Sequence, residues 1–206
     1  MEPLMHGILL AFGLILPLGV QNIFIFNQGA SQGTILRAMP AVLTAAICDT
    51  LLISLAVTGV SVIVFSFDWL RNALFIVGFF FLLYMGWTMW RTKSTVTDPQ
   101  SAKVFSPKRQ ITFAASVSIL NPHAIMDTIG VIGTSSLAYE SINKWIFTIA
   151  CIAVSWLWFI GLAILGRFIG NVDPNGKLIL KLNQISALVI WGMAFYIGYT
   201  FLISMK

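Results

Sequence analysis

The chain has 206 residues, of which 58% are hydrophobic and only 9% charged, with a mean hydropathy of +0.91. Soluble globular domains carry roughly 25% charged residues, so this composition excludes an ordinary soluble domain and points to an integral membrane protein. The net charge of +5 does not argue for a nucleic-acid partner, because the basic residues sit in short segments between apolar spans, as membrane topology requires.

A membrane helix needs about 20 mostly apolar residues, and six candidate spans follow in chain order. Span one covers roughly 5–26 and includes "LILPLGVQNIFIF", Leu14 to Phe26. Pro17 interrupts it and Asn22 follows five residues later. The N-terminal stretch does not read as a signal peptide, since it has Glu2, no basic flank and an apolar run that continues past Pro17. Span two, roughly 38–65, carries Cys48 and Asp49 at membrane depth. Span three, roughly 69–90, carries the small residues Gly78 and Gly86, which suit close helix packing within a protomer or in a homo-oligomer. The polar stretch 91–110 then reads as a linker.

Span four, roughly 111–137, repeats the opening pattern in "SILNPHAIMDTIG". A shift of 105 residues lays Pro17 on Pro122 and Asn22 on Asp127. Spans five and six, roughly 145–169 and 178–203, are apolar and rich in tryptophan, with Cys151, Trp156, Trp158 and Trp191 in mid-span. Trp69, Trp87, Trp90 and Trp145 fall near span ends, as in an aromatic belt.

Three spans on each side of the linker would make two halves that enter the membrane in opposite senses. The expected fold is therefore an all-α membrane protein of one domain, residues 1–206. Its six transmembrane helices form two inverted three-helix repeats, about 1–90 and 111–206, each opening on a Pro-broken helix. Paired, Pro/Gly-interrupted spans at corresponding places mark inverted-repeat transporters and their binding sites. The flanks after spans one, three and five hold nine of the twelve Lys and Arg residues. That side is expected to be cytoplasmic, which places both termini outside.

An ionised Asp at the centre of a membrane helix costs roughly 2.5–3.5 kcal/mol. Asp49 and Asp127 alone among the acidic residues lie well inside spans. They read either as a cation or proton site facing a wet cavity, or as hydrogen-bonded carboxyls that fix packing. No Lys or Arg lies well inside a span as an obvious partner for them. A proline frees backbone groups and is expected to push the preceding residues, Leu16 and Asn121, out of helical geometry. Pro17, Gly19 and Pro122 are therefore hinge candidates, and Gln21, Asn22 and Asn121 supply neutral donors and acceptors. His123 reads as a proton relay or as a neutral hydrogen-bonding group. One buried His and two distant Asp fall short of a metal ligand set. No nucleotide, dinucleotide, hydrolase or metalloprotease motif appears, so neither a cofactor nor a nucleotide-driven pump is expected.

The stretches "LILPLGVQNIFIFNQG" (14–29), "AICDTLLI" (46–53), "LNPHAIMDT" (120–128) and "SWLWFIGLA" (155–163) resemble, in order along the whole chain, the lysine/arginine exporter family of the LysE or ArgO type. Relatives that export homoserine or threonine tend to carry Lys after the Asn-Pro pair, where this chain has His123 followed by Asp127. One departure is Val20, where related exporters often have Pro. The resemblance implies export of a basic amino acid across a bacterial inner membrane, with Asp49 and Asp127 as functional positions and the Asn-Pro region as a hinge. Read with the residues, it predicts proton antiport by alternating access. In that reading Asp49, Asp127, Gln21, Asn22 and Asn121 hold substrate, while Asp49, Asp127 and His123 handle protons. The rival readings are an exporter of neutral or small polar amino acids, a divalent-cation exporter, a redox conduit through Cys48 and Cys151, and an intramembrane hydrolase using His123 with Asp127.

Overall fold

A computed structural model describes residues 1–16, 19–59, 68–91, 105–172 and 177–204. All the regular structure among them is helical. In chain order it comprises α1 (Glu2–Ile15), α2 (Val20–Ser31), α3 (Ile35–Val57), α4 (Asp68–Trp90), α5 (Pro107–Ile119) and α6 (Pro122–Asp127). A π-helical segment (Thr128–Gly133) then leads into the single turn α7 (Thr134–Ser136), followed by α8 (Ser141–Val172) and α9 (Lys177–Ser204).

By length and composition α3 and α8 each suffice to cross a membrane. Helices α1 and α2 pass only as a pair, bent by 80° at their break. The other expected spans fall on α4, on α5 with its continuation, and on α9. Two boundaries move. Span two ends as a helix at Val57, where Gly59 at φ 79 takes the left-handed conformation that closes helices; residues 60–65 lie outside the described set. Span one continues to Ser31, where Gly33 at φ 73 closes α2 in the same way. Most of the linker, 92–104, also lies outside the described residues. Its end is described: Ser106 caps α5 by accepting from the Arg109 N–H, with Pro107 in the first turn.

The breaks follow the prolines, with one correction. Asn121, before Pro122, is extended at φ −95 and ψ 92. Leu16, before Pro17, is helical at φ −61 and ψ −39 and keeps its bond to the Phe12 carbonyl. Among the described residues of the first break, Gly19 is extended, at φ −74 and ψ 170. Pre-proline crowding disfavours the helical region without forbidding it, and α1's last hydrogen bond holds Leu16 in place.

Helix α8 runs through the centre of the molecule and packs on α1, α2 and α3; α3 also packs on α5 and on the π segment, and α4 chiefly on α9. The close approach of α2 to α8 depends on small residues. A Cβ added at Gly29 would meet the Ala163 carbonyl, and one at Gly166 the Phe26 carbonyl. A Cβ at Gly86 would strike the Trp191 ring of α9, so this glycine serves packing within the protomer. Trp191 also donates to the Leu83 carbonyl at 3.2 Å. The main core joins Val20, Phe24, Ala41, Val42, Ala114, Val117 and Phe159, with Ala187 and Ile190 of α9. The belt candidates Trp69, Trp87, Trp90 and Trp145 are exposed, as lipid-level anchors should be.

Candidate functional site

The two motif asparagines perform complementary tasks. The last carbonyls of a helix and the first N–H groups of the next lack intrahelical partners. Asn22 Nδ2 donates to the Ile15 carbonyl at 2.7 Å, satisfying the end of α1 from across the bend. Asn121 Oδ1 accepts from the Ala124 N–H at 3.4 Å, capping the start of α6. Both side chains are buried. Asn22 thus bridges the first break as a donor, while Asn121 caps the helix that opens at the second as an acceptor.

Asp49 sits on α3 and is held by neutral groups from two other helices. Gln21 Nε2, in the first turn of α2, donates to Asp49 Oδ1 at 3.2 Å. Ser155 of α8 bonds the same carboxylate. One residue further along each helix, Trp156 Nε1 donates to Thr50 Oγ1 at 3.0 Å, and that hydroxyl donates to the Ala46 carbonyl at 2.7 Å. Helix α8 therefore grips α3 through two adjacent pairs centred on Asp49. Neutral donors support a carboxylate without cancelling its charge.

These groups surround one cavity of about 440 Å³, within the roughly 300–1,000 Å³ typical of small-molecule sites. Gln21, Asn22, Asp49, Asn121 and Asp127 all line it. The five residues expected to hold substrate are brought together from α2, α3, the second break and α6. Asp49 and Asp127 are half-buried there. Gly19 of the first break also lines the cavity, and apolar side chains such as Leu14, Ile53, Ile132 and Phe159 complete the wall. Pro17 and the side chains of Pro122 and His123 lie outside the described residues.

Three features escape the sequence reading. Ser155 and Thr128 line the cavity, yet a serine or threonine in an apolar helix is commonly just bonded to its own backbone, as Thr128 is to the Ala124 carbonyl at 2.8 Å. The π segment begins directly after Asp127. Such widened turns are frequent at functional sites, and here the glycines of "TIGVIG" are the visible signal. A Cβ at Gly133 would come within 3.2 Å of the Ala56 carbonyl, so this glycine lets the segment lie close against α3.

Among the described residues no three His, Cys, Asp or Glu side chains cluster as a metal site. Cys48 and Cys151 are free thiols. Cys151 faces the Gly7 carbonyl at 3.5 Å in an apolar cluster with Ala11 and Phe147. Among the described residues that line it, the cavity presents two carboxylates, three amides, the hydroxyls of Thr128 and Ser155 and an apolar wall, and no cationic side chain.

A family profile described as "LysE type translocator" matches residues 12–200. The chain belongs to the LysE family. It is 58% identical over 198 residues to "Putative amino-acid transporter YisU" of Bacillus subtilis, covering 96% of this chain and 90% of that protein. It is 33% identical to "Arginine exporter protein ArgO" of Salmonella typhi, covering 94% and 92% respectively, and equally so to that of Salmonella typhimurium. No solved structure matches. The LysE chain is thus a membrane protein and an amino-acid transporter of exporter type, not an enzyme. Family membership removes the hydrolase and redox readings of His123 and the cysteines.

Proposed function

We propose that this LysE-family protein exports a basic amino acid, arginine or lysine, from the cytoplasm in exchange for protons. The observation that carries the reading is the presence of two carboxylates, Asp49 and Asp127, in one membrane-depth cavity with three amides. Arginine and lysine bear a cationic side chain together with an α-amino and an α-carboxylate group. The carboxylates attract the cationic groups. The first-turn N–H groups of α2, at the positive end of that helix, and the amides of Asn22 and Asn121 suit the α-carboxylate. With both carboxylates ionised, a basic amino acid offsets one of the two negative charges and a neutral one offsets neither, and uncompensated charge in a low-dielectric site is costly. The arginine-exporter name of the 33% identical relatives supports the same choice.

Coupling follows from charge. Moving one positive charge out against an inside-negative potential costs about 2.3 kcal/mol per 100 mV. Exchange for an entering proton removes that cost. Protonating either Asp also removes the charge that holds the cargo, so proton and substrate compete for one site. The half-repeats 1–90 and 111–206 would rock about the two breaks to alternate access, in a six-span inverted topology with both termini outside.

Sidedness is supported by packing. Gln110 Nε2 bonds the Arg37 carbonyl, and a Cβ at Gly170 would meet the Ala30 carbonyl at 2.5 Å. The end of α2, the starts of α3 and α5 and the end of α8 therefore gather at one pole, with Arg37, Lys108, Arg109 and Arg167. His6 bonds Tyr139 at 2.8 Å at the other pole. Proteoliposomes loaded with arginine and a pH-sensitive dye test the coupling. The lumen is expected to acidify in step with arginine efflux. Efflux at full rate with no change in luminal pH, with or without an imposed voltage, would contradict proton exchange.

A further inference from the structure

Outside the cavity, the described residues contain a second buried polar cluster. Gln28, Gln32 and Gln110 are 6%, 4% and 1% exposed. Gln32 Nε2 donates to Gln28 Oε1 and to the Phe105 carbonyl, each at 2.9 Å. Gln110 Nε2 donates to the Arg37 carbonyl at 2.9 Å and to the same Phe105 carbonyl at 3.0 Å. Since both acceptors are carbonyls, the Gln110 amide cannot be turned around without losing both bonds. One main-chain oxygen thus ties the entry to α5 to the end of α2, and the same glutamine ties it to the start of α3.

Directly inward lies an aromatic triad. Phe24 is completely buried, and its ring lies 4.3 Å from that of Phe113 and 6.2 Å from that of Phe105, with 5.7 Å between the latter two. Beyond it Ala41, Val42, Ala45, Ala114 and Val117 are all 0% exposed. On each of three elements the polar cluster and the cavity occupy opposite ends. Helix α2 has Gln21 early and Gln28 late, with Gln32 just past its end; α3 has Arg37 early and Asp49 past its middle; Gln110 lies in the first turn of α5, and Asn121 follows its end. Helices have about 3.6 residues per turn, so about two turns on α2 and about three on α3 and α5 separate cluster from cavity.

We propose that the Phe24–Phe105–Phe113 triad is the cytoplasmic gate and that the Gln28–Gln32–Gln110 cluster is the latch holding it shut. This assignment rests on the proposed orientation, in which the pole with Arg37, Lys108 and Arg109 faces the cytoplasm. Cargo from that side reaches Asp49 only if the triad parts, and the triad parts only if the latch bonds from α5 to α2 and α3 are released. Gln110 Oε1 is buried with no hydrogen-bond partner among the described residues in this closed arrangement. An unsatisfied buried acceptor works against the closed state and keeps it from being a dead end. The latch bonds are made by neutral amides and main-chain carbonyls, while the Arg109 guanidinium lies 5.1 Å over the Phe105 ring of the triad.

The test is sided thiol labelling. In a Cys48→Ser, Cys151→Ser background, Leu52→Cys places a reporter on the cavity wall. A membrane-impermeant charged maleimide is applied to right-side-out or inverted membrane vesicles. In the background protein the reporter is expected to label from outside and to label poorly from the cytoplasmic face. Gln32→Ala with Gln110→Ala should raise the cytoplasmic-face rate about tenfold, as the loss of buried hydrogen bonds predicts. Phe113→Ala, which opens the triad with the latch intact, should also raise it, and it decides the matter alone if the glutamine variant fails to insert. Equal labelling from both faces before any gate substitution, no gain in variants that insert normally, or gain only from the outer face would overturn the gate. Labelling reads the path and not the cargo. If it behaves as expected while no basic amino acid is exported, the gate stands and the cargo assignment falls.

Discussion

Asp49→Asn and Asp127→Asn are each expected to reduce arginine efflux by roughly 100-fold or more, because removing one partner of a buried charge pair costs about 2–5 kcal/mol. The substitutions keep shape and differ only in charge. At position 49 an amide oxygen still accepts from Gln21 Nε2, now at 3.2 Å from the carboxylate, so the contact between α2 and α3 survives and the protein should reach the membrane in normal amount. That separates the two readings of the carboxylates. If Asp49 and Asp127 only fixed packing, neutral isosteres would leave efflux close to normal. Ser155→Ala removes a donor to Asp49 but leaves the charge, and should lower efflux only several-fold, in line with one lost hydrogen bond to a charged group. Efflux of radiolabelled arginine from preloaded cells, normalised to membrane protein, measures all three.

Gly166→Val is expected to destabilise the fold by about 3 kcal/mol, at the upper end of overpacking effects. A Cβ there falls on the Phe26 carbonyl, with the Ala30 nitrogen 3.1 Å away. Those are main-chain atoms of α2, which lies against both α8 and α3 and has no side chain to rotate out of the way. The same packing recurs at Gly29 and Gly170, so the whole α2–α8 seam must open to admit the methyl groups. Gly161 is the control on the same helix. A Cβ there meets nothing within 4 Å, and Ala is the better helix former by about 1 kcal/mol. Gly161→Ala should leave thermal stability in detergent unchanged or slightly raised, while Gly166→Val should shift the protein into aggregate on size-exclusion chromatography. Equal behaviour of the two would contradict the close α2–α8 approach.

Much of the cavity was legible because its residues break rules of membrane sequence. Carboxylates at membrane depth are costly, so Asp49 and Asp127 stood out. Prolines interrupt apolar runs, and the asparagines beside them follow from the backbone groups those interruptions free. The breaks themselves were therefore expected, although at the first one Leu16 proved helical and Gly19 extended. What escaped is what depends on tertiary approach. Gln32 and Gln110 stand near span ends, where polar residues are ordinary. Their burial arises only when chain segments 73 residues apart meet at the Phe105 carbonyl. Ser155 looks like any helix serine until α8 lies against Asp49. The π segment needs Gly133 packed on Ala56, a contact no local propensity encodes. Trp156 and Trp191, which the sequence only places in mid-span, donate to Thr50 and to the Leu83 carbonyl.

Export of a basic amino acid requires the cavity to select for charge, and equilibrium binding to the purified protein tests that most directly. Radiolabelled arginine bound in detergent is competed with lysine and with citrulline, which keeps the shape of arginine but replaces its guanidinium with a neutral ureido group. Displacement by lysine and not by citrulline, with binding lost in Asp49→Asn and Asp127→Asn, is the predicted result. Displacement by citrulline as effective as by unlabelled arginine, or binding retained in both variants, would contradict it.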